Sequence, residues 1–225
     1  MKIEHPQKVV VVGGGYAGAM AAVRVAGRAR RGAEVTLIDP RAELVQRLRL
    51  HQAAAGQKVR SYNLSKLTGR KVTNVRGEAY EIDTARSLVR VRGSDEHASI
   101  PFDFVILATG STIDAESVPG VSEHAHSLAS PESAARLNDA LSELPEGSVA
   151  AVCGGGMTGI EAASEFERLS AAAGASTPAA GIRVVTWNLW WRFGRWRIEP
   201  RPYVRFCSKP SRTSVGCRRS GPTKA

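Results

Sequence analysis

The four consecutive valines Val9-Val10-Val11-Val12 run straight into Gly13-Gly14-Gly15-Tyr16-Ala17-Gly18, and an alanine-rich segment follows from Ala17 to Arg31. A continuous β-branched run suits a strand buried on both faces of a parallel sheet. An alanine-rich helix can lie close against such a sheet. The spacing Gly13-x-Gly15-x-x-Gly18 assigns each glycine a task. The first permits the tight turn, the second lets backbone approach a pyrophosphate, and the third allows close strand–helix contact. The helix N-terminus then presents free N–H groups and the positive end of its dipole. Gly32 ends the helix, Glu34 to Asp39 forms a second strand, and Pro40 stops it. Strand, turn, helix and strand within ~30 residues make a right-handed βαβ unit. Asp39 stands 21 residues beyond Gly18, where an acid accepts hydrogen bonds from a dinucleotide ribose. An ordinary glycine turn with a surface aspartate is the plain alternative, but strand, spacing and acid agree on a dinucleotide site.

The pattern occurs twice. Val149 to Cys153 is again an apolar strand, followed by Gly154-Gly155-Gly156-Met157-Thr158-Gly159 and a helix from Ile160 to Leu169. Two dinucleotide turns suit the passage of hydride between a nicotinamide and a flavin. The competing reading is a repeated fold element that has lost its ligand. Its support lies downstream, where Ile182 to Thr186 runs into Trp187-Asn188-Leu189 and no acid appears before Glu199.

Between the two copies the sequence predicts a helix over Arg41–Ala55 and a small antiparallel meander over Lys71–Arg92. A buried strand over 101–108 ends at Thr109-Gly110, and a helix spans Pro131–Leu144. The expected class is α/β, with Rossmann-like parallel sheets, a small meander, an incomplete second dinucleotide domain and an irregular C-terminal tail. The expected boundaries are 1–120, 145–186 and 187–225.

Several segments together carry a family resemblance. They are the two turns in this order, Phe102-Asp103-Phe104-Val105-Ile106-Leu107-Ala108-Thr109-Gly110-Ser111, and Gly154 to Glu161. They resemble the flavoprotein oxidoreductases with two dinucleotide-binding domains, most of all type II NADH dehydrogenases and relatives of apoptosis-inducing factor. His51-Gln52-Ala53-Ala54-Ala55-Gly56 resembles the stretch that follows the FAD acid there. The disulfide reductases of that superfamily carry a redox cysteine pair in this region. There is none between Arg41 and Gly56, which disfavours that branch.

The resemblance covers about residues 8–186 and implies the cofactors FAD and NAD(P)H. It implies FAD contacts for the turn Gly13, Gly14, Gly15, Tyr16, Ala17 and Gly18, for Asp39, for the Ala79 backbone near the adenine, and for Thr109 and Gly110 at the diphosphate. It makes Gly154, Gly156 and Gly159 the NAD(P)H turn. Glu161 becomes the catalytic candidate, a carboxylate that orients the nicotinamide or assists proton transfer. An acid favoured by the dipole near a helix N-terminus is the alternative for Glu161. The implied partner is a small-molecule electron acceptor such as a quinone. Membrane-surface association belongs to the full-length family, which continues well past the position of Thr186.

The tail from Trp187 onward holds eight Arg and two Lys against Glu199 alone, nine of the chain's ten net positive charges. The basicity therefore says little about the rest of the chain, which is nearly neutral. Trp190-Trp191-Arg192-Phe193-Gly194-Arg195-Trp196-Arg197 can be a nucleic-acid patch, a membrane-surface segment, or sequence foreign to the family. In a GC-rich gene, Trp-Arg codons become Gly-Gly one base over. The abrupt shift in composition therefore points to a reading-frame shift near residue 186 and a truncated chain. Three functions follow as expectations: an FAD-dependent NAD(P)H dehydrogenase, a non-catalytic dinucleotide-binding fragment, and a basic-tailed nucleic-acid-binding protein without a specific target.

The first six residues lack the apolar core of a secretory signal, and no apolar run reaches membrane-spanning length, so the expected location is cytoplasmic. Cys153, Cys207 and Cys217 have neither metal nor disulfide spacing, and His124-x-His126 lacks supporting ligands, so no metal is expected.

Overall fold

The computed structural model describes residues 5–29, 32–93, 97–145, 148–172, 183–192 and 195–199. The chain opens with β1 (Gln7–Val12), α1 (Tyr16–Arg28) and β2 (Ala33–Asp39). A 3₁₀ turn at Arg47–Arg49 leads into α2 (Leu50–Ala54), then α3 (Leu64–Thr68). Five strands follow: β3 (Val72–Arg76), β4 (Glu78–Asp83), β5 (Leu88–Arg92), β6 (His97–Pro101) and β7 (Phe104–Leu107). After α4 (Val121–His124) and α5 (Pro131–Ser142) come β8 (Val149–Cys153), α6 (Met157–Ala172), β9 (Arg183–Arg192) and β10 (Arg195–Glu199).

The first sheet is parallel, in the order β3-β2-β1-β7. The chain moves from β1 to β2 on one side and later returns to β7 on the other. The strand order therefore reverses between β1 and β7, and ligands of such sheets bind in the crevice at that reversal.

The valine run has a direct explanation. Val9 and Val11 face the helix layer with Ala22, Ala26, Val35, Leu37 and Val72. Val10 and Val12 face the opposite way, packing with Ile38 against Val89 and Val91 of the antiparallel sheet β4-β5-β6. Every valine is buried because both faces of β1 are covered. Full burial of one such side chain stabilises by about 1.5–3 kcal/mol. The small buried residues Gly18, Ala19, Ala22 and Ala26 let α1 sit close to the sheet.

Three sequence expectations change. Arg41–Ala55 is not one helix: only Leu50–Ala54 is α-helical, after the 3₁₀ turn. The backbone of 41–46 pairs at long range instead. Leu44 N–H donates to Tyr62 O (2.8 Å), Leu64 N–H donates to Ala42 O (2.9 Å), and Glu43 bridges Asn63. The expected meander over 71–92 divides, because β3 joins β2 in the parallel sheet and the third antiparallel strand is β6. The strand expected to be buried over 101–108 is shorter and lies at the sheet edge, with Phe104 and Leu107 59% and 64% exposed.

The second unit repeats the first. β8 and β9 pair in parallel from Val149↔Arg183 to Cys153↔Trp187, and α6 joins them. β9 continues to Arg192 and pairs antiparallel with β10. Regular structure thus extends past the boundary expected at residue 186. Residues 193, 194 and 200–225, with Cys207 and Cys217, lie outside the described residues. The two units meet through a shared apolar cluster: Leu50, Ala54 and Ala55 from the α2 region, Ala134 and Leu141 from α5, and Ala162 and Phe166 from α6. A reciprocal Ser130/Ser133 capping box starts α5, with proline in its first turn.

Close approach at the glycine turn makes a sharp test. A Cβ on Gly18 would lie 1.8 Å from the Gly13 carbonyl oxygen, whereas one on Gly27, also in α1, meets nothing within 4 Å. Gly18→Ala is expected to destabilise the fold by about 3 kcal/mol or more. Gly27→Ala is expected to be neutral or to stabilise by up to about 1 kcal/mol. Urea unfolding of the two variants checks the contrast, and equal effects would contradict it.

Candidate nucleotide-binding site

The crevice at the C-terminal ends of β1, β2 and β7 is built by the first glycine turn. Gly13 has φ +103°, a left-handed conformation that side-chain-bearing residues rarely adopt, and a Cβ there would sit 2.4 Å from Ala108 O. Its N–H donates to Ile38 O (2.9 Å), while Ala108 N–H donates to Val12 O (2.8 Å). The turn is thereby clamped between the ends of its two neighbouring strands. A Cβ on Gly14 would meet Leu64 Cδ1 at 2.6 Å and the Asp39 side chain at about 3 Å. Gly15 differs: a Cβ on it would meet nothing within 4 Å. The packing of the described residues does not require a glycine here. Gly15 is also the N-cap of α1, where no side chain caps the helix, so the N-terminal amides face the crevice. Tyr16 and Ala17 follow, both exposed at the start of the helix.

Asp39 stands at the end of β2 and orients the turn. Its Oδ2 accepts from Gly14 N–H (2.6 Å) and its Oδ1 accepts from Arg41 N–H (2.8 Å). Its backbone oxygen accepts from Gly77 N–H (3.0 Å), which pins the β3–β4 corner beside it. Ala79 lies two residues further on, in β4, packed against the Val10–Val12–Ile38 cluster. A pocket bordered by Leu37, Asp39, Arg41, Asn63, Asn74 and Arg76 opens at this end of β2 and β3. On the other side of β1, Thr109 and Gly110 are exposed just beyond β7, and Gly110 has φ +76°. Arg47 closes over them: its Nη1 donates to Ser111 O (2.7 Å) and would be 3.1 Å from a Cβ on Gly110. Sequence reasoning missed Arg47, because its partner is 64 residues away.

The second turn repeats this geometry. Gly154 has φ +124°, a Cβ on Gly159 would lie 1.9 Å from Gly154 O, and one on Gly156 would meet nothing within 4 Å. Ile160 N–H donates to Gly156 O (3.1 Å), as Ala19 N–H donates to Gly15 O (2.9 Å). Glu161 lies past the first turn of α6, which contains no acid. Its partner is a side chain from the first unit: Oε2 lies 3.5 Å from Nδ1 of His51.

Two copies of one strand–turn–helix, each built on a glycine turn with the same close helix–strand approach, give the chain the Rossmann-like fold of FAD/NAD-binding proteins. The chain belongs to the pyridine nucleotide-disulphide oxidoreductase family, whose match spans residues 7–185, and FAD and NAD(P)H are that family's cofactors. Among curated proteins, none matches this sequence. Solved structures share the fold. NDH2 from Plasmodium falciparum in complex with NADH is 18% identical with a TM-score of 0.68, covering 81% of this chain and 42% of its own. The sulfide:quinone oxidoreductase of Aquifex aeolicus is 20% identical (TM-score 0.64; 80% and 43% covered). The NAD-dependent persulfide reductase of A. fulgidus is 24% identical (TM-score 0.62; 80% and 33% covered). The chain thus spans about a third to two fifths of the length of these structures. Among the described residues, no helix is long and apolar enough to cross a membrane.

The loop after Asp39 is tied down by an ion pair. Arg41 Nη2 donates to both carboxylate oxygens of Glu132 (3.0 and 3.1 Å), at the start of α5. The Glu132 carboxyl is held down at about 2, first by its own backbone N–H, then by the Ser130 hydroxyl and Arg41. A folded-state value below the ordinary 4.5 means stabilisation that is present above about pH 4.5 and lost as pH falls toward 2. Both side chains are substantially exposed, so solvent screens the pair. Glu132→Gln is expected to cost no more than about 1 kcal/mol at pH 7. The cost should shrink between pH 4.5 and pH 2 in denaturation measurements, and a pH-independent difference would contradict the assignment.

Proposed function

We propose that this chain supplies the two cofactor-binding units of an NAD(P)H-oxidising flavoprotein. In this reading Gly13, Gly14, Gly15, Tyr16, Ala17 and Gly18 hold the FAD diphosphate at the N-terminus of α1. Asp39 takes the ribose beside the Ala79 backbone, and Thr109 and Gly110 close the diphosphate from the β7 side. Gly154, Gly156 and Gly159 hold NAD(P)H at the N-terminus of α6. Glu161 borders the nicotinamide, where a carboxylate orients the ring or takes part in proton transfer. Bound FAD supplies the chemistry of accepting hydride from the nicotinamide and passing electrons onward, with a quinone or another small molecule as the final acceptor.

One observation carries the proposal: Gly15 and Gly156 each leave open space where a Cβ would stand, at equivalent places in two separate turns. Gly13, Gly18 and Gly159 are required by backbone contacts within the protein and Gly154 by its positive φ, whereas in this reading Gly15 and Gly156 are glycines because a ligand lies against them.

The test uses the purified full chain. Flavin absorbance (roughly 450 nm) that bleaches on addition of NADH or NADPH is the expected result. Gly15→Val should keep the fold by circular dichroism yet lose the flavin. Gly156→Val should retain the flavin and lose the bleaching. A chain that carries no flavin after reconstitution with FAD, or a Gly15→Val variant that keeps it, would refute the proposal.

A further inference from the structure

His51 is buried, yet it belongs to a short helix whose neighbours Leu50 and Ala54 are apolar. The two other buried polar side chains among the described residues, Thr68 and Ser133, make local hydrogen bonds. Thr68 bonds to Leu64 O, and Ser133 completes the capping box of α5. The His51 imidazole instead faces a carboxylate 110 positions away, with Nδ1 3.5 Å from Glu161 Oε2. Burying an imidazole costs stability unless a polar partner offsets its lost hydration, and the facing group here is the Glu161 carboxylate on another element.

What the short segment around His51 touches suggests a role for this contact. Four residues before it, Arg47 donates to Ser111 O, at the mouth of the first crevice beyond Thr109-Gly110. Six residues after it, Gln57 Nε2 donates to Glu165 Oε2. Glu161 and Glu165 are four apart on α6 and so lie on one face. Each is met by a side chain from the first unit. Between these contacts, Asn138 of α5 donates to Ala54 O (3.0 Å). Residues 47–57 therefore form a bridge with one end at the mouth of the first turn's crevice and the other on the helix that leaves the second turn. Glu161 is 42% exposed and only two residues past Gly159, so the buried imidazole grips α6 next to the second turn.

We propose that His51 is a positioning residue that acts through Glu161 to set the second dinucleotide turn against the first. The inference rests on the two-cofactor reading above. Without the imidazole, the Glu161 carboxylate loses its partner and α6 loses a polar contact close to its glycine turn. The nicotinamide dinucleotide then binds a turn that is no longer held in register with the flavin crevice. The first turn should be indifferent, because its clamps (Ile38, Ala108 and Asp39) do not involve His51.

A double-mutant cycle on the full chain tests this. The variants are His51→Ala, Glu161→Ala and the pair, with His51→Gln as the conservative replacement. The readouts are flavin content, thermal unfolding midpoint, and NADH affinity from the concentration dependence of the rate of flavin bleaching in the absence of oxygen. Each single alanine variant is expected to weaken NADH binding roughly tenfold, with the double variant no weaker than either, because coupled contacts are not additive. Flavin content should stay at the wild-type level and the unfolding midpoint should fall only modestly, and His51→Gln should recover part of the affinity. Additive losses in the cycle overturn the assignment, as do parallel losses of flavin and of stability, which would make His51 a packing residue only. If the wild-type chain binds flavin and NADH but the cycle is additive, this inference alone fails. If the wild type binds no NADH, it falls together with the functional proposal.

Discussion

No side chain fits between the helix that leaves each glycine turn and the strand that enters it. The Cβ positions of Gly18 and Gly159 lie 1.8 and 1.9 Å from the carbonyl oxygens of Gly13 and Gly154, well inside van der Waals contact. This close approach determines much else. It brings the helix N-terminus to the end of the central strand, with its free amides turned into the crevice. It places Asp39 near enough to Gly14 to accept its N–H, so the acid that ends β2 orients the turn. The middle glycines Gly15 and Gly156, by contrast, have no protein atom within 4 Å of where a Cβ would stand.

The first βαβ unit was legible because its determinants are local. Four valines, three spaced glycines, an alanine-rich helix and a closing aspartate lie within 31 residues, and each is explained by a neighbour in the same unit. The second unit was legible as far as its strand, turn and helix for the same reason. Failures fell where distant partners decide. Arg41 to Gln46 has reasonable helix formers, but its backbone pairs with Tyr62 and Leu64, and Gln46 donates to Arg60 O. Tertiary pairing overrode propensity there. The alternating residues of β3 revealed a strand without revealing that its partner is β2 rather than β4. Glu161 was singled out through the family resemblance, as the acid two residues after Gly159. Its connection to His51 was not, because nothing in a linear pattern announces a contact 110 residues apart.

The two units are joined less by the polypeptide between them than by the bridge at 47–57. The apolar cluster of Leu50, Ala54, Ala134, Leu141, Ala162 and Phe166 supplies non-directional attachment. The polar contacts His51–Glu161, Gln57–Glu165 and Asn138–Ala54 supply direction. Such a division suits two sites that must face each other, since apolar packing alone tolerates sliding that a few directional contacts prevent.

The proposal that each glycine turn binds a dinucleotide is most directly tested by amide hydrogen exchange on the full chain with and without cofactors. Added FAD should slow exchange at residues 14–18 and 109–111. Added NADH, on the FAD-loaded protein, should slow exchange at residues 155–160. Unchanged exchange at both turns, with protection appearing elsewhere or nowhere, would contradict it.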